Sequence, residues 1–192
     1  MPDSLAPEVV ESLLRGRFGH VYLYEDRCPT TQRLLPEDAP EGAVAVTEEQ
    51  TEGRGRLGRR WESPPRSSVL CSVCLRPDAP PARYPELTLV GAEATVEAIR
   101  ALTALAPTVK EPNDVLLGGR KVAGVLGEAF EGRVVLGIGI NVNVAADQLP
   151  REARLPPTSL LLETGGELDR VELLVTLLEE LERAYGRWIA RL

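Results

Sequence analysis

Residues 115–143 have the sequence VLLGGRKVAGVLGEAFEGRVVLGIGINVN, in which three largely apolar segments are separated by two short joints. The joints are Gly118-Gly119 and Glu131-Gly132. Two-residue joints that contain glycine are typical of β-hairpins, because glycine tolerates the positive φ angles of tight turns. The stretch therefore predicts three consecutive antiparallel strands, at 115–117, 121–130 and 134–143.

On both sides of this stretch, strand signals and helix signals occur without a regular alternation. Apolar residues recur at helical spacing over 87–105 and 169–192, which predicts two amphipathic helices. Further strands are predicted at 20–26, 43–48, 67–75 and 108–110, short helices at 7–15 and 31–35, and loops at 50–66 and 145–158. The helix–strand alternation of a doubly wound sheet is missing after residue 110. The predicted fold class is therefore α+β, a mixed and largely antiparallel sheet with helices packed mainly on one face.

The composition predicts one globular domain that spans residues 1–192. With 43% apolar residues, the chain can bury a sizeable core. Its formal net charge of -7 argues against a general attraction to nucleic acid or to an anionic membrane. No apolar run is long enough to span a bilayer, and the first residues lack the features of a signal peptide. We therefore expect no nucleic-acid partner, no membrane partner and a cytoplasmic location.

Three cysteines, Cys28, Cys71 and Cys74, raise the alternative of a redox or zinc protein. Cys71 and Cys74 have C-x-x-C spacing, but they fall within a predicted strand, where residues three apart face opposite ways. No second Cys or His pair completes a zinc site, because His20 is the only histidine. We therefore interpret Cys71 and Cys74 as small core residues, and a redox or zinc function is the least favoured alternative.

A glycine- and arginine-rich loop, GRGRLGRRW at residues 53–61, is the first candidate binding segment. It contains the letters G-x-G-x-x-G, but a dinucleotide fingerprint must open a helix, and ESPP follows at 62–65 instead. Between Gln50 and Trp61, four arginines and one glutamate give a net charge of +3 in a chain of net charge -7. Such a loop suits a phosphate or an acyl phosphate, but charge alone favours this interpretation no more than simple solvation.

Both lysines of the chain, Lys110 and Lys121, fall in one segment that carries three further motifs, whereas the other 20 of the 22 basic residues are arginines. The motifs are KEPND at 110–114, KVAGVLGE at 121–128 and GIGIN at 137–141. Taken singly, each has an ordinary explanation, because Asn-Asp favours turns and alternate glycines mark close packing in a strand.

Taken together and in this order, the motifs resemble the catalytic domain of biotin protein ligases. The signature of that family is G-R-G-R-x-G-R-x-W, then K-W-P-N-D, then K-x-A-G-I-L-x-E, then G-I-G-I-N. The segments CPTTQ at 28–32 and TSL at 158–160 resemble two further family motifs, so the resemblance covers nearly the whole chain. It implies an enzyme that uses Mg²⁺, activates biotin with ATP to biotinyl-5'-AMP, and transfers biotin to a lysine of a biotin carboxyl carrier protein.

The resemblance also implies a role for each matching residue. The biotin-binding residues would be Thr30, Thr31, Gln50, Gly53, Arg54, Lys121 and Gly124. The nucleotide-binding residues would be Arg56, Asn113, Asp114 and Asn141, with Asp114 holding Mg²⁺. Lys121, Arg54 and Arg56 would be catalytic, and the loop at 53–61 would close over biotin and the adenylate phosphate.

The chemistry of these residues agrees with that assignment. Biotin's carboxylate is already ionised at neutral pH, so its attack on the α-phosphate needs no general base. The obstacle is repulsion between two anions, about 4 kcal/mol for a unit pair at about 4 Å and an effective dielectric of about 20. Cationic side chains and Mg²⁺ would offset that repulsion, and a closed loop would shield the mixed anhydride from water.

Two departures from the family pattern leave alternatives open. Glu111 replaces the tryptophan of K-W-P-N-D, and an acid there could weaken nucleotide binding unless it points outward or pairs with an arginine. The sequence shows neither the winged-helix domain of repressor-type members nor the small C-terminal β-barrel, so we expect no operator binding and leave the efficiency of transfer open. The alternatives are a lipoyl or octanoyl transferase of the same fold and a catalytically weakened biotin-binding module. The sequence does not decide whether the chain forms a homodimer.

Overall fold

The computed structural model describes residues 4–151 and 153–192. Residues 1–3, at the end that lacks signal-peptide features, and residue 152, within the predicted loop 145–158, lie outside the described residues. The strands are β1 Tyr22–Cys28, β2 Val44–Gln50, β3 Ser68–Leu75, β4 Thr108–Lys110, β5 Asp114–Leu117, β6 Arg120–Phe130 and β7 Arg133–Asn141. The α-helices are α1 Pro7–Val10, α2 Glu86–Leu102, α3 Leu160–Thr164 and α4 Arg170–Ile189.

The described strands form one seven-stranded sheet in the order β1-β2-β3-β7-β6-β5-β4. β1 pairs parallel with β2, and every other neighbouring pair is antiparallel. The joints Gly118-Gly119 and Glu131-Gly132 are hairpin turns, and their glycines have φ angles of 54°, 82° and 70°. The predicted mixed and largely antiparallel sheet is therefore confirmed.

Two long helices, α2 and α4, pack against each other and cover one face of the sheet. The N-terminus of α4 is capped by Asp169, whose Oδ1 accepts hydrogen bonds from two backbone N–H groups of the first turn at 2.8 and 3.1 Å. The apolar side chains of both helices, such as Ile99 and Leu177, join the main core with alternate residues of the strands. Within the described residues, no helix combines the length and hydrophobicity that a bilayer crossing needs.

The opposite face of the sheet carries a smaller apolar cluster, which includes Leu35, Cys74 and Val135. Cys71 belongs to the main core and Cys74 to this smaller cluster. The prediction that these two cysteines face opposite ways is therefore confirmed, and both thiols are free and buried. Next to the small cluster, the same face remains open, and the candidate site lies there.

The short helices are where the sequence-based predictions fail. The predicted helix 7–15 is one α-helical turn, Pro7–Val10, followed by a 3₁₀ turn, Glu11–Leu13. The predicted helix 31–35 is only a 3₁₀ turn, Thr31–Arg33, and α3 was not predicted. Helices this short are unstable alone because nucleation is costly, so tertiary contacts rather than local periodicity decide whether they form.

Candidate active site

A cavity of about 370 Å³ opens on the face of the sheet away from α2 and α4. Its volume falls within the usual range for small-molecule pockets, about 300–1,000 Å³. Ten of the eleven residues that the sequence assigned to a site line it: Thr30, Thr31, Gln50, Arg54, Arg56, Asn113, Asp114, Lys121, Gly124 and Asn141. The folded chain thus brings together residues that are up to 111 positions apart in the sequence, from Thr30 to Asn141.

The floor of the cavity is made of backbone at three glycines, Gly124, Gly137 and Gly139. Gly124 and Gly139 are direct partners across β6 and β7. The neighbouring Ile138 and Ile140 point into the main core, so Gly137 and Gly139 face the cavity. A Cβ at Gly124 or Gly139 would press against the Trp61 ring, and one at Gly137 would lie 3.4 Å from the Gln32 side chain, so glycine lets these groups pack directly on the sheet.

The indole of Trp61 lies over this floor. A Cβ atom added to Gly139 would be 2.6 Å from Cε2 of Trp61, and one added to Gly124 would be 3.1 Å from Cζ3. The Trp61 Nε1 atom is buried and has no hydrogen-bond partner among the described residues. Trp61 is the last residue of the loop motif and had no role predicted from the sequence, although a tryptophan in a polar loop is itself a signal of a binding role.

A polar corner lies at the end of the cavity formed by β2, β3 and the Thr31–Arg33 turn. The Thr31 backbone N–H donates to Oε1 of Gln50 at 2.9 Å, and the hydroxyls of Thr31 and Ser72 are 2.7 Å apart. The Nε2 group of Gln50 donates to no described residue. Ser72, which sequence reasoning missed, faces the same side as Gly137, its partner on β7. Thr30 is buried beside them.

Lys121 enters the cavity because of an irregularity in the sheet. Lys121 and Gly124 are three residues apart on β6 and would face opposite ways in a regular strand. The register between β5 and β6 shifts at Val115/Leu116, as in a β-bulge. Val122 is therefore in the core, while Cε and Nζ of Lys121 lie 3.1 Å from the position of a Cβ at Gly124.

The ammonium of Lys121 pairs with the carboxylate of Asp114. Their Nζ and Oδ1 atoms are 2.5 Å apart, and the Asp114 side chain is only 9% exposed. Nζ also lies 5.5 Å from the centroid of the Trp61 ring, on the cavity side of the sheet. The cation is therefore held above the glycine floor by one buried acid.

Asp114 is also the residue that could hold a metal ion. Among the described residues no group of three or more His, Cys, Asp or Glu side chains could do so. One carboxylate nevertheless fits Mg²⁺, because this ion commonly uses one or two carboxylates together with substrate phosphates and water. Oδ1 of Asp114 is buried and, apart from its ionic contact with Lys121, accepts no hydrogen bond in the described structure. A metal ion in place of the ammonium could therefore coordinate Oδ1 of Asp114.

Two asparagines fix the backbone around the cavity. Nδ2 of Asn113 donates to the Val125 carbonyl at 3.2 Å, and its Oδ1 accepts from Nη1 of Arg56 at 3.3 Å. Nδ2 of Asn141 donates to the Thr158 carbonyl at 3.0 Å and so fastens the loop before α3. Each asparagine is therefore already engaged, and a nucleotide would reach a side chain that is held in place.

The arginine-rich segment 53–61 is a hairpin that stands at the cavity mouth. The Trp61 N–H donates to the Gly53 carbonyl at 2.9 Å, and the Gly55 N–H donates to the Arg59 carbonyl at 2.8 Å. Gly53 is the one assigned residue that does not line the cavity. A Cβ there would be 2.3 Å from the Trp61 carbonyl oxygen, so glycine is required for the narrow base of the hairpin.

Three other residues singled out in the sequence, Cys71, Glu111 and His20, supply no reactive group to the cavity. Burial raises the pKa of the Cys71 thiol to about 12, so this side chain remains protonated and is a poor nucleophile. Glu111 is exposed and forms no ion pair with a described residue, which agrees with the outward orientation that the sequence left open. His20 is also exposed and precedes β1.

Comparisons with known proteins identify the family of the chain. The sequence profile of the Biotin/lipoate A/B protein ligase family matches residues 24–145, well over half of the chain. The bifunctional ligase/repressor BirA of Bacillus subtilis is 38% identical over 176 residues, which cover 87% of this chain and 54% of that protein. The biotin--[acetyl-CoA-carboxylase] ligase of Mycobacterium tuberculosis is 38% identical over 152 residues, which cover 77% of this chain and 56% of that protein. The chain thus spans about half the length of these two curated relatives.

Among solved structures, the biotin protein ligase of Aquifex aeolicus in complex with biotin and ATP has a TM-score of 0.78 with 32% sequence identity. The similarity covers 88% of this chain and 72% of that one. A point mutant of the same ligase in complex with biotin has a TM-score of 0.76 with 31% sequence identity, over 88% of this chain and 71% of that one. Both structures have the same kind of sheet and helix layer as this chain.

Proposed function

The chain belongs to the Biotin/lipoate A/B protein ligase family, and from this premise we propose that it converts biotin and ATP to biotinyl-5'-AMP and then biotinylates a lysine of a biotin carboxyl carrier protein. The observation that carries the proposal is the position of Lys121. Its ammonium lies above a glycine floor, between a polar corner on one side and Asp114 and Asn113 on the other. This places one cation between the two ends of the cavity, where two anionic substrates would have to meet.

The polar corner favours biotin over lipoate as the acid that is activated. Biotin's ureido ring has a carbonyl and two N–H groups, which the hydroxyl of Thr31, held in place by Ser72, and the free Nε2 group of Gln50 can match. The dithiolane of lipoate offers no comparable hydrogen bonds. A buried polar site discriminates strongly against a ligand that leaves its groups unpaired, because each unmet group costs about 1–3 kcal/mol.

In the first step, a biotin carboxylate oxygen attacks the α-phosphorus of ATP, a new P–O bond forms, and pyrophosphate leaves with the electrons of the broken bond. Lys121 would leave Asp114 and donate to the carboxylate and the α-phosphate. Arg56, which reaches the same region through Asn113, would contribute a second cation. Such preorganised donors stabilise charge that develops in the transition state without further reorganisation.

Mg²⁺ is part of the proposal as an ion held by Asp114 together with the phosphates of ATP. When bound, it would neutralise phosphate charge and orient the leaving group. Asp114 is the residue that would hold this ion, and Lys121, which contacts Asp114, is the residue that would donate to the carboxylate and the α-phosphate.

In the second step, the neutral amine of a carrier lysine attacks the acyl carbon of the adenylate, the bond to AMP breaks, and the amine loses a proton. The Trp61 indole and the hairpin 53–61 would exclude water from the anhydride until the carrier arrives. We propose a biotin carboxyl carrier protein as the partner and the cytoplasm as the location. Whether the chain forms a homodimer stays open.

The test is the release of pyrophosphate by the purified chain with ATP and biotin, with lipoate and octanoate in parallel reactions. Of the three acids, we expect only biotin to support pyrophosphate release. A biotin carboxyl carrier protein added to that reaction should then gain the mass of one biotin at one lysine. Release with lipoate instead of biotin would identify the transferase alternative. Tight biotin binding without pyrophosphate release would identify a binding module.

A further inference from the structure

Glu128 is a carboxylate at the margin of a cavity that must accept anions. It lies on β6 two residues after Leu126, which lines the cavity, and its side chain faces the same side of the sheet. Its side chain is 23% exposed. A lone acid in this place would repel a carboxylate or a phosphate, so its presence needs a compensating group.

Arg54 of the hairpin provides that group. Its Nη1 atom lies 2.8 Å from Oε1 of Glu128 and 3.2 Å from Oε2. Among the described residues, this is the only ion pair that joins the hairpin 53–61 to the sheet. Because the Arg54–Glu128 pair is close to neutral, Arg54 contributes little net attraction for the anions.

The two arms of the hairpin are bonded to each other, which couples Arg54 to Trp61. Gly53 and Trp61 pair at its base, and Arg54 and Arg60 form a bridge one step further along. A contact at Arg54 is therefore transmitted to Trp61, whose indole covers the glycine floor. Releasing Arg54 would let the ring lift from Gly139.

We propose that Glu128 is a positioning residue that holds the hairpin 53–61 closed over the cavity through its ion pair with Arg54. The inference rests on the proposed function only for the identity of the ligand that the hairpin covers. Arg54 is then a latch rather than a catalytic residue, which changes the role that the family resemblance implied for it.

The test uses the exchange of the Trp61 indole N–H with solvent deuterium, followed by NMR in the free protein. This N–H is buried without a partner among the described residues, so its exchange rate reports the fraction of time that the ring is lifted. Glu128→Gln should accelerate exchange about two- to fivefold, the range for partly exposed ion pairs. The indole of Trp188 donates to Glu86 at 2.8 Å on the other side of the sheet and is the internal reference.

Glu97→Gln is the matched control, because it removes the Arg100–Glu97 ion pair, which is also 2.8 Å long but lies on α2. It should leave the Trp61 rate unchanged. An unchanged rate in Glu128→Gln would overturn the proposal, whatever the ligand is. Faster exchange in a protein that does not bind biotin would refute the proposed function and leave the latch intact.

A double-mutant cycle separates a latch from an independent role of Arg54. If the two residues act only through their ion pair, Arg54→Gln, Glu128→Gln and the double variant should show the same exchange rate and the same two- to fivefold loss of biotin affinity. Additive losses of affinity would mean that Arg54 binds the substrates directly, and the assignment of Arg54 as a latch would be wrong.

Discussion

Replacing Lys121 with alanine should abolish most adenylate formation while the fold stays intact. The ammonium lies 2.5 Å from the buried carboxylate of Asp114, above the glycine floor where the two anionic substrates would meet. Loss of one preorganised donor typically costs about 2.7–4 kcal/mol of barrier, or about a hundred- to thousandfold in rate. We therefore expect at least about a hundredfold loss of pyrophosphate release.

The effect on stability should be smaller than the effect on rate. The Lys121 side chain is 25% exposed, but Asp114 is only 9% exposed, and a buried group that loses its partner costs about 1–3 kcal/mol. For a chain of this length, that corresponds to a decrease in Tm of about 2–12 °C. Thermal unfolding of the variant therefore shows whether lost activity comes from lost chemistry.

Pyrophosphate release measured with saturating biotin and ATP is the assay, and Arg120→Ala is the control. Arg120 is the preceding residue on β6, but it pairs with Glu163 and does not line the cavity, so its loss should leave the rate within about twofold. Lys121→Arg should restore only part of the activity, because the planar guanidinium does not replace a compact ammonium. A Lys121→Ala rate within a few-fold of the unmodified chain would refute the assignment.

Three further predictions concern the cavity. Gly139→Ala places a Cβ 2.6 Å from the Trp61 ring, and this overpacking should weaken biotin binding about five- to hundredfold, as measured by calorimetry. Gly166→Ala is the control and should bind biotin normally, because nothing lies within 4 Å of the added Cβ. Thr31→Val removes a buried hydroxyl of the polar corner and should weaken biotin binding about three- to tenfold, whereas equal affinity would remove this corner from the site. Cys71, whose pKa burial raises to about 12, should resist a thiol reagent at pH 8 until the protein unfolds, and rapid labelling of the native protein would contradict its core position.

The strands that carry the site could be predicted because their signals are local. Glycine-containing joints fix two hairpins within 115–143, and the alternation of apolar residues with glycine in β7 indicates one face without side chains. The same local logic placed Cys71 and Cys74 on opposite faces. The α4 helix was also clear, because its leucines at 173, 174, 177, 178 and 181 and its aromatic residues at 185 and 188 keep helical spacing.

The orientation of Lys121 could not be predicted from spacing. A regular strand would direct Lys121 and Gly124 to opposite faces, and only the register shift opposite Val115/Leu116 brings them together. That shift depends on how β5 pairs with β6, which is a property of two strands rather than of one segment. The family motif nevertheless identified Lys121 as a candidate, because a motif match does not depend on knowing how the two strands pair.

Ser72 and Glu128 were missed for the same physical reason. Each is an ordinary polar residue in its own strand, and each gains its role from a partner more than forty positions away, Thr31 and Arg54 respectively. The parallel pairing of β1 with β2 was likewise not assigned, since the sheet order depends on contacts that no local pattern contains.

The cavity holds three of its cations on acceptors of the protein itself. Lys121 lies against Asp114, Arg54 against Glu128, and Arg56 against the amide oxygen of Asn113. Such pairing lowers the intrinsic affinity for anions, because a substrate must displace a contact that already exists. It also removes the entropic cost of ordering three long side chains at the moment of binding, which is the general advantage of a preorganised site. The acceptors differ in their position: Asp114 lines the cavity, whereas Glu128 lies outside the lining and pairs with no second cation among the described residues. Lys121 and its acid therefore both face the space where the substrates would meet, whereas the Arg54–Glu128 pair joins the hairpin to the sheet. A mutation at Lys121 should for this reason act on the chemical step, and one at Glu128 on closure of the hairpin.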